Sequence, residues 1–250
     1  MFSLVNNVNK VFKGLLPLLK PRSLRVFFKT LVVTNFDHPF AVSWSQGGED
    51  LALLSIFGNS DEFKGSYLDI GAHHPSRFSV TRHLYQRGWT GVNVDANRTL
   101  IGEFERIRPR DVNLCFAIGE RDTYEFTIFE EPAISTINPE WRDRALAESW
   151  AINRTQIVAG RKLRDLYDEY FSDSAVDLLS VDAEGSDFEV IKSMDFESLP
   201  AARYPKFLLL ETAPPVTHAL ATPAVALALE FGYEPHLVLP MSTILKAPVV

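Results

Sequence analysis

From Trp44 onward the chain alternates short apolar runs with amphipathic stretches. That alternation is the pattern of strand–helix units around a mostly parallel sheet. Five runs predict buried strands: residues 66–70, 91–94, 112–118, 175–181 and 206–210. Helices are predicted over residues 48–57, 77–87, 98–108, 161–171 and 222–231, and around 188–194. Gly88, Gly232 and Pro109 are ordinary stop signals for three of them. Residues 124–129 alternate as an additional strand. Residues 236–239 and 243–245 flank Pro240 and predict a closing antiparallel hairpin. Residues 131–160 carry Pro132, Pro139 and a helical stretch at 141–150, and predict an insertion over the carboxyl edge of the sheet. The expected fold is α/β, a Rossmann-like, doubly wound, mostly parallel sheet. One domain spans residues 44–250, and 131–160 is its candidate lid.

Composition narrows the function class. The chain has 250 residues, 46% of them hydrophobic, which suffices for one sizeable core. Its formal net charge is −7, and no basic stripe runs through residues 44–250, so a nucleic-acid partner is not expected. The single cysteine, Cys115, lies in the apolar run Leu114-Cys115-Phe116-Ala117-Ile118 and reads as a small core residue. No apolar run is long enough to span a bilayer, and no signal peptide is evident, so a cytoplasmic location is expected.

Residues 1–43 differ from the rest. They hold Lys10, Lys13, Lys20, Arg22, Arg25 and Lys29, and no acid precedes Asp37. Leucines, valines and phenylalanines are interleaved with these cations. Two readings stay open for this basic amphipathic arm. It lies peripherally on the inner face of an anionic membrane, or it packs on the domain or on a second subunit of a homodimer.

Candidate chemistry sits where the predicted strands end. In open α/β sheets, ligands bind beyond the carboxyl ends of the strands, and nearly every predicted strand here ends in a small or acidic residue. Asp69-Ile70-Gly71-Ala72 closes the first. A glycine directly after a strand lets the backbone turn sharply beside a ligand, and a carboxylate two residues earlier can orient that loop or accept from an ammonium group. Only one glycine is present, not the set that cradles a pyrophosphate. Asp95 ends the second strand, about two dozen residues past Gly71, and is placed to bind ribose hydroxyls; Asn97 beside it is a further cofactor-binding candidate, and both also suit a helix N-cap. Ala117 and Ile118 suit an adenine pocket, or core packing. Asp182 and Glu184 flank Ala183 before Gly185. They are candidates for taking a proton from a substrate hydroxyl or for holding a divalent ion, and helix N-terminal charge is the alternative.

These residues, taken together, resemble the FkbM-type methyltransferases of the class I S-adenosylmethionine-dependent superfamily. The resemblance runs from about Ser45 to the C-terminus. It is carried by Ser45-Gln46-Gly47-Gly48-Glu49-Asp50-Leu51 and by Asp69-Ile70-Gly71-Ala72-His73-His74-Pro75. Arg77-Phe78-Ser79, Gly88-Trp89-Thr90-Gly91, Val94-Asp95-Ala96 and Ser180-Val181-Asp182-Ala183-Glu184-Gly185 extend it. Ala183 stands where a branched apolar residue is commoner in the family. The resemblance implies seven strands with a C-terminal antiparallel hairpin, and S-adenosylmethionine as methyl donor, usually to an oxygen. It puts Asp69, Gly71 and Ala72 in the donor loop and Asp95 on the ribose. It puts Asp182 near the transferred methyl, and Gln46 and Glu49 at the edge of the site.

Several expectations follow for the reaction. His73 and His74 are candidate general bases or hydrogen-bonded structural histidines. Asp182 and Glu211, ending neighbouring strands, are candidate ligands for Mg²⁺ with Glu184 or a substrate diol. Trp141 and Trp150 suit the sugar rings of a glycan or glycosylated small-molecule acceptor, or pack the lid to the body. Two rival functions are an NAD-dependent oxidoreductase and a non-catalytic adenosyl-binding scaffold. The lone Gly71 argues against the first.

Overall fold

A computed structural model describes residues 42–58, 63–212 and 216–249. The arm at residues 1–43 lies almost wholly outside the described residues, and Ser43–Val250 forms one compact unit. In chain order its strands are β1 (Ser66–Ile70), β2 (Thr90–Asp95), β3 (Val112–Cys115), β4 (Ala117–Ile118) and β5 (Thr123–Phe129). They continue as β6 (Ile152–Arg161), β7 (Leu178–Val181), β8 (Phe207–Glu211), β9 (Glu234–Val238) and β10 (Ser242–Lys246). The α-helices are α1 (Glu49–Phe57), α2 (Arg82–Gln86), α3 (Arg98–Ile107), α4 (Pro139–Ala147), α5 (Leu163–Tyr170), α6 (Asp187–Lys192) and α7 (Pro223–Glu230).

Seven strands form one sheet in the order β3-β2-β1-β7-β8-β10-β9. β1 pairs in parallel with β2 on one side and β7 on the other. β10 inserts antiparallel between β8 and β9. The chain therefore leaves β1 in one direction and resumes at β7 in the other. This reversal opens a crevice at the carboxyl ends of β1 and β7, where such sheets bind ligands. The expected seven-stranded, doubly wound sheet with an antiparallel hairpin is the one observed.

Strand alternation divides the core. Leu68, Ile70, Val92, Val94, Leu179, Val181, Leu208 and Leu210 share one buried layer. α5, α6 and α7 cover it through Leu163, Leu166, Tyr167, Val190, Ile191, Val225 and Ala228, and the spacing of the three α5 residues is that of one helix face. Tyr67, Leu178, Leu209 and Ile244 face the other way, under Leu53 of α1, Leu84 of α2 and Trp89. Among the described residues, no helix is long and apolar enough to cross a membrane.

Three elements differ from expectation. The run at residues 112–118 is two strands. β3 follows β2 only as far as the Asp95–Cys115 pair, and β4 then pairs with β6 in a second sheet, ordered β4-β6-β5. The unbroken apolar stretch from Leu114 to Ile118 carries no mark of a change of partner. The helix expected over residues 77–87 shrinks to α2, because Phe78 has a φ of 59° and residues 75–81 are drawn toward a buried arginine described below. β6 was not expected at all. It pairs antiparallel with β5 along its length, but its residues 152–155 are polar or exposed, so period-two alternation is masked.

Leu179 is fully buried in the middle of the main sheet. Leu179→Ala is expected to cost about 2–5 kcal/mol. Thermal melting followed by circular dichroism checks this, at roughly 2–4 °C per kcal/mol for a domain of this size.

Candidate active site

The site is built on one close approach. After β1 the backbone turns at Gly71, with a φ of 74°. The amides of Gly71 and Ala72 donate to the Val94 carbonyl, at 2.9 and 3.0 Å. The Asp182 amide donates to the Ile70 carbonyl at 3.0 Å. A Cβ at position 71 would lie 1.7 Å from the Asp182 carbonyl oxygen. Only glycine satisfies both the dihedral angle and the contact.

The resulting cleft is open to solvent on one side and spans about 1200 Å³ with that open solvent included. It brings together Gln46, Glu49, Asp69, Gly71, Ala72, His73, Asp95, Ala117, Ile118, Asp182, Glu184 and Glu211. Asp95, at the end of β2, accepts hydrogen bonds from the His73 amide at 2.9 Å and the Asn97 amide at 2.7 Å. Burial raises its carboxyl to about 6. At neutral pH it is an ionised acceptor with lone pairs left for a diol. Beside it Phe116, Ala117, Ile118, Phe126 and Ile137 line an apolar slot.

At the opposite end the cleft is acidic. Asp182 opens onto the cleft but is otherwise walled by protein. That enclosure, with Asp187, Asp69 and Glu49 nearby, raises its carboxyl to about 7, against a hydrogen bond shared with Glu211. Burial and Asp182 raise Glu184 to about 9, and burial with Asp182, Asp187 and Glu184 raises Glu211 to about 10. Like charges this close cannot all ionise, so Glu211 keeps its proton and donates it to Asp182. Glu184 has a φ of 46°, as unusual for a non-glycine residue as the 52° of His73, and such strain gathers at functional sites.

The motif before α1 delivers two of these side chains. Asp50 is fully buried and accepts from the hydroxyls of Ser43 and Ser45 and the amide of Trp44. It thereby folds residues 43–50 into a turn. Glu49 then reaches the cleft, braced by the Gly47 amide at 2.9 Å and the Ser242 hydroxyl at 3.4 Å. The insertion closes the other wall. The Thr136 hydroxyl donates to the Glu184 carbonyl at 2.8 Å, and the Asn138 amide group to the Gly185 carbonyl at 2.6 Å.

Some sequence candidates lie elsewhere or have other work. His74 is not among the cleft residues; its Nδ1 accepts the Ser76 and Arg77 amides at 3.0 and 2.9 Å. Asn97 caps α3 through the Thr99 amide. His73 lines the cleft, but burial and the neighbouring Arg77 lower its imidazole to about 4, so it is neutral and weakly basic. Neither Trp141 nor Trp150 lines the cleft: Trp141 packs on Gly185, and Trp150 is exposed at the surface. Cys115 is partly buried and its thiol is pushed up by burial. Among the described residues, no group of three or more His, Cys, Asp or Glu side chains is disposed to hold a metal ion. Asp182 and Glu211, where Mg²⁺ was expected, are not joined by a third such side chain in a metal-holding arrangement.

Other cleft residues were not anticipated. Phe126 and Ile137 arrive from the second sheet and the insertion, and Ser242 from β10. The alternation of β5 was a usable signal for Phe126. Nothing local marks Ser242, which reaches the site because β10 pairs with β8 and sets it opposite Glu211.

The strand order and the glycine turn after β1 are those of a Rossmann-like α/β fold. The sequence profile of the methyltransferase FkbM domain matches residues 69–211, and the chain belongs to that family. Two solved structures are similar at low identity. One is the methyltransferase FkbM from Methylobacillus flagellatus KT, at 12% identity and a TM-score of 0.44, covering 98% of this chain and 60% of that one. This chain thus spans about three fifths of the length of that relative. The other is a TehB-like SAM-dependent methyltransferase from Corynebacterium glutamicum ATCC 13032 Kitasato, at 9% identity and a TM-score of 0.41, covering 99% and 100% of the two chains. No curated protein matches the sequence significantly.

Two outcomes are expected. Gly71→Ala forces the β1 and β7 loops apart and should abolish adenosyl-ligand binding in a calorimetric titration, even where circular dichroism still reports a folded protein. The second concerns pH. The Asp182 carboxyl sits above its ordinary value of 3.8 in the folded chain, so the folded state holds that proton more firmly. Stability contributed by this group falls as pH rises from about 4 through about 7. Asp182→Asn should therefore melt higher than the parent at pH 8 and alike near pH 4; a gap independent of pH would contradict a raised Asp182 carboxyl.

Proposed function

We propose that the protein transfers a methyl group from S-adenosylmethionine to a hydroxyl of an uncharged, sugar-like or secondary-metabolite acceptor. One observation carries the reading: a single cleft joins an apolar slot, the Asp95 acceptor and the Asp182–Glu211 pair in that order. The slot suits a purine, Asp95 a ribose diol, and Asp69 the ammonium group of an amino-acid tail. When bound, the donor supplies an electrophilic methyl group on a sulfonium that needs no further activation. The chain's task is then to position the acceptor and receive its proton.

Asp182 is the base. Near neutral pH it is poised between its two forms, which suits proton transfer. Glu211, protonated, donates to it and fixes its orientation. Glu184 and Glu49 are left to hold acceptor hydroxyls. No lysine or arginine is among the described residues lining the cleft. An acceptor bearing phosphate or carboxylate would find no cation there to pair with, and neither would a dinucleotide pyrophosphate. This favours a methyl donor over a nicotinamide cofactor, and a neutral glycan or small molecule over an acid. The insertion at 131–160 is assigned as the lid on the acceptor side. A lone thiol that needs no oxidising compartment favours the cytoplasm, and the basic arm at 1–43 is assigned to contact with an anionic membrane face or a second subunit.

Asp182→Asn is expected to lower kcat by about 100-fold or more while affinity for S-adenosylhomocysteine stays within a few-fold. The parent rate should rise with pH through about 7, as Asp182 ionises. Methyl transfer from labelled donor to a panel of neutral and acidic glycans reads both. An Asn variant as active as the parent would remove Asp182 from the reaction.

A further inference from the structure

Arg108 follows α3, is fully buried and hydrogen-bonds only to neutral oxygens. Its Nε and one Nη donate to the Pro75 carbonyl at 3.2 and 2.7 Å. Its remaining bonds go to the Ser79 hydroxyl at 2.6 Å and the Thr81 hydroxyl at 2.7 Å. The guanidinium also lies 5.0 Å from the Phe104 ring centroid and 5.6 Å from that of Tyr85. A buried guanidinium stays charged, and burying a charge without a counter-ion in contact is costly. Its field acts most strongly on the acids nearest to it.

The Thr81 hydroxyl indicates what that is. It accepts from Arg108 and donates its own proton to Asp69 Oδ2 at 2.7 Å. A hydroxyl polarised by a cation is a stronger donor. Asp69 lines the cleft, close to Tyr67, the Ser180 hydroxyl and several acids. Asp95 faces it from β2, Asp182 from β7, and Asp111 from the segment after α3. Burial pushes its carboxyl up, while Thr81, Arg108 and Ser180 pull it down. Arg108 is the one cation in that set.

We propose that Arg108 is a positioning residue of the donor site: through the Thr81 hydroxyl it orients Asp69 and lends it a compensating positive charge, so that Asp69 receives the ammonium group of the donor's amino-acid tail. Its bonds to Pro75 and Ser79 hold the strained loop carrying His73 and Phe78 in the same act. The proposal rests on the donor reading above.

The test is calorimetric titration of the full chain with two ligands across mildly acidic to mildly alkaline pH. S-adenosylhomocysteine carries the ammonium group; 5′-methylthioadenosine lacks the amino-acid tail. In Arg108→Met and Thr81→Val, the pH midpoint for S-adenosylhomocysteine binding should move upward by about one unit or more, with affinity recovering as pH rises. Binding of 5′-methylthioadenosine should match the parent in both, and Arg108→Lys should restore the parent midpoint. If Arg108→Met fails to fold, Thr81→Val, which keeps the side-chain shape, carries the same expectation. Equal weakening of both ligands at every pH, or no change, would overturn the proposal and leave Arg108 a structural residue. A parent protein that binds neither ligand would refute the donor reading itself, and this proposal with it.

Discussion

Between Gly71 and the carbonyl of Asp182 there is no space for even one further carbon atom. The rest of the site depends on that contact. It lets the loops after β1 and β7 meet at the point where the strand order reverses, so the residues that follow each strand share one cleft. Asp69, Ile70 and Val94 are fixed below by sheet hydrogen bonds. The side chains above them have little freedom in where they point. A methyl group at position 71 would disturb this arrangement more than most losses from the core.

Electrostatics then sorts the cleft into regions. The Asp95 end is apolar around one ionised acceptor. The Asp182 end gathers carboxyls whose mutual repulsion and burial make protons hard to remove. Holding these acids together lowers stability at alkaline pH, a cost that proteins accept at functional sites. Arg108 offsets part of it from beneath, one hydroxyl away from Asp69.

The middle of the main sheet was legible in the sequence because β1, β7 and β8 are buried on both faces and end in turn or acidic residues. Asp69, Gly71, Asp95, Asp182 and Glu211 could be found as candidates on that rule alone. What stayed hidden depended on tertiary pairing. The division of residues 112–118 between two sheets leaves no local trace, and neither does the placing of Ser242 opposite Glu211. β6 was masked by its exposed polar residues. Arg108 read as the last residue of a helix before Pro109; its buried role emerges only once the 75–81 loop folds back over it. His74 and Asn97 were ambiguous between ligand contact and local capping, and their bonds are those of caps.

The central claim is that this one cleft receives an adenosyl donor. A crystal structure of the protein grown with S-adenosylhomocysteine tests it most directly. The purine is expected between Ala117, Ile118 and Phe126, both ribose hydroxyls on Asp95, and the thioether sulfur turned toward Asp182. Density for the ligand at any other place on the molecule, or a ribose away from Asp95, would contradict it.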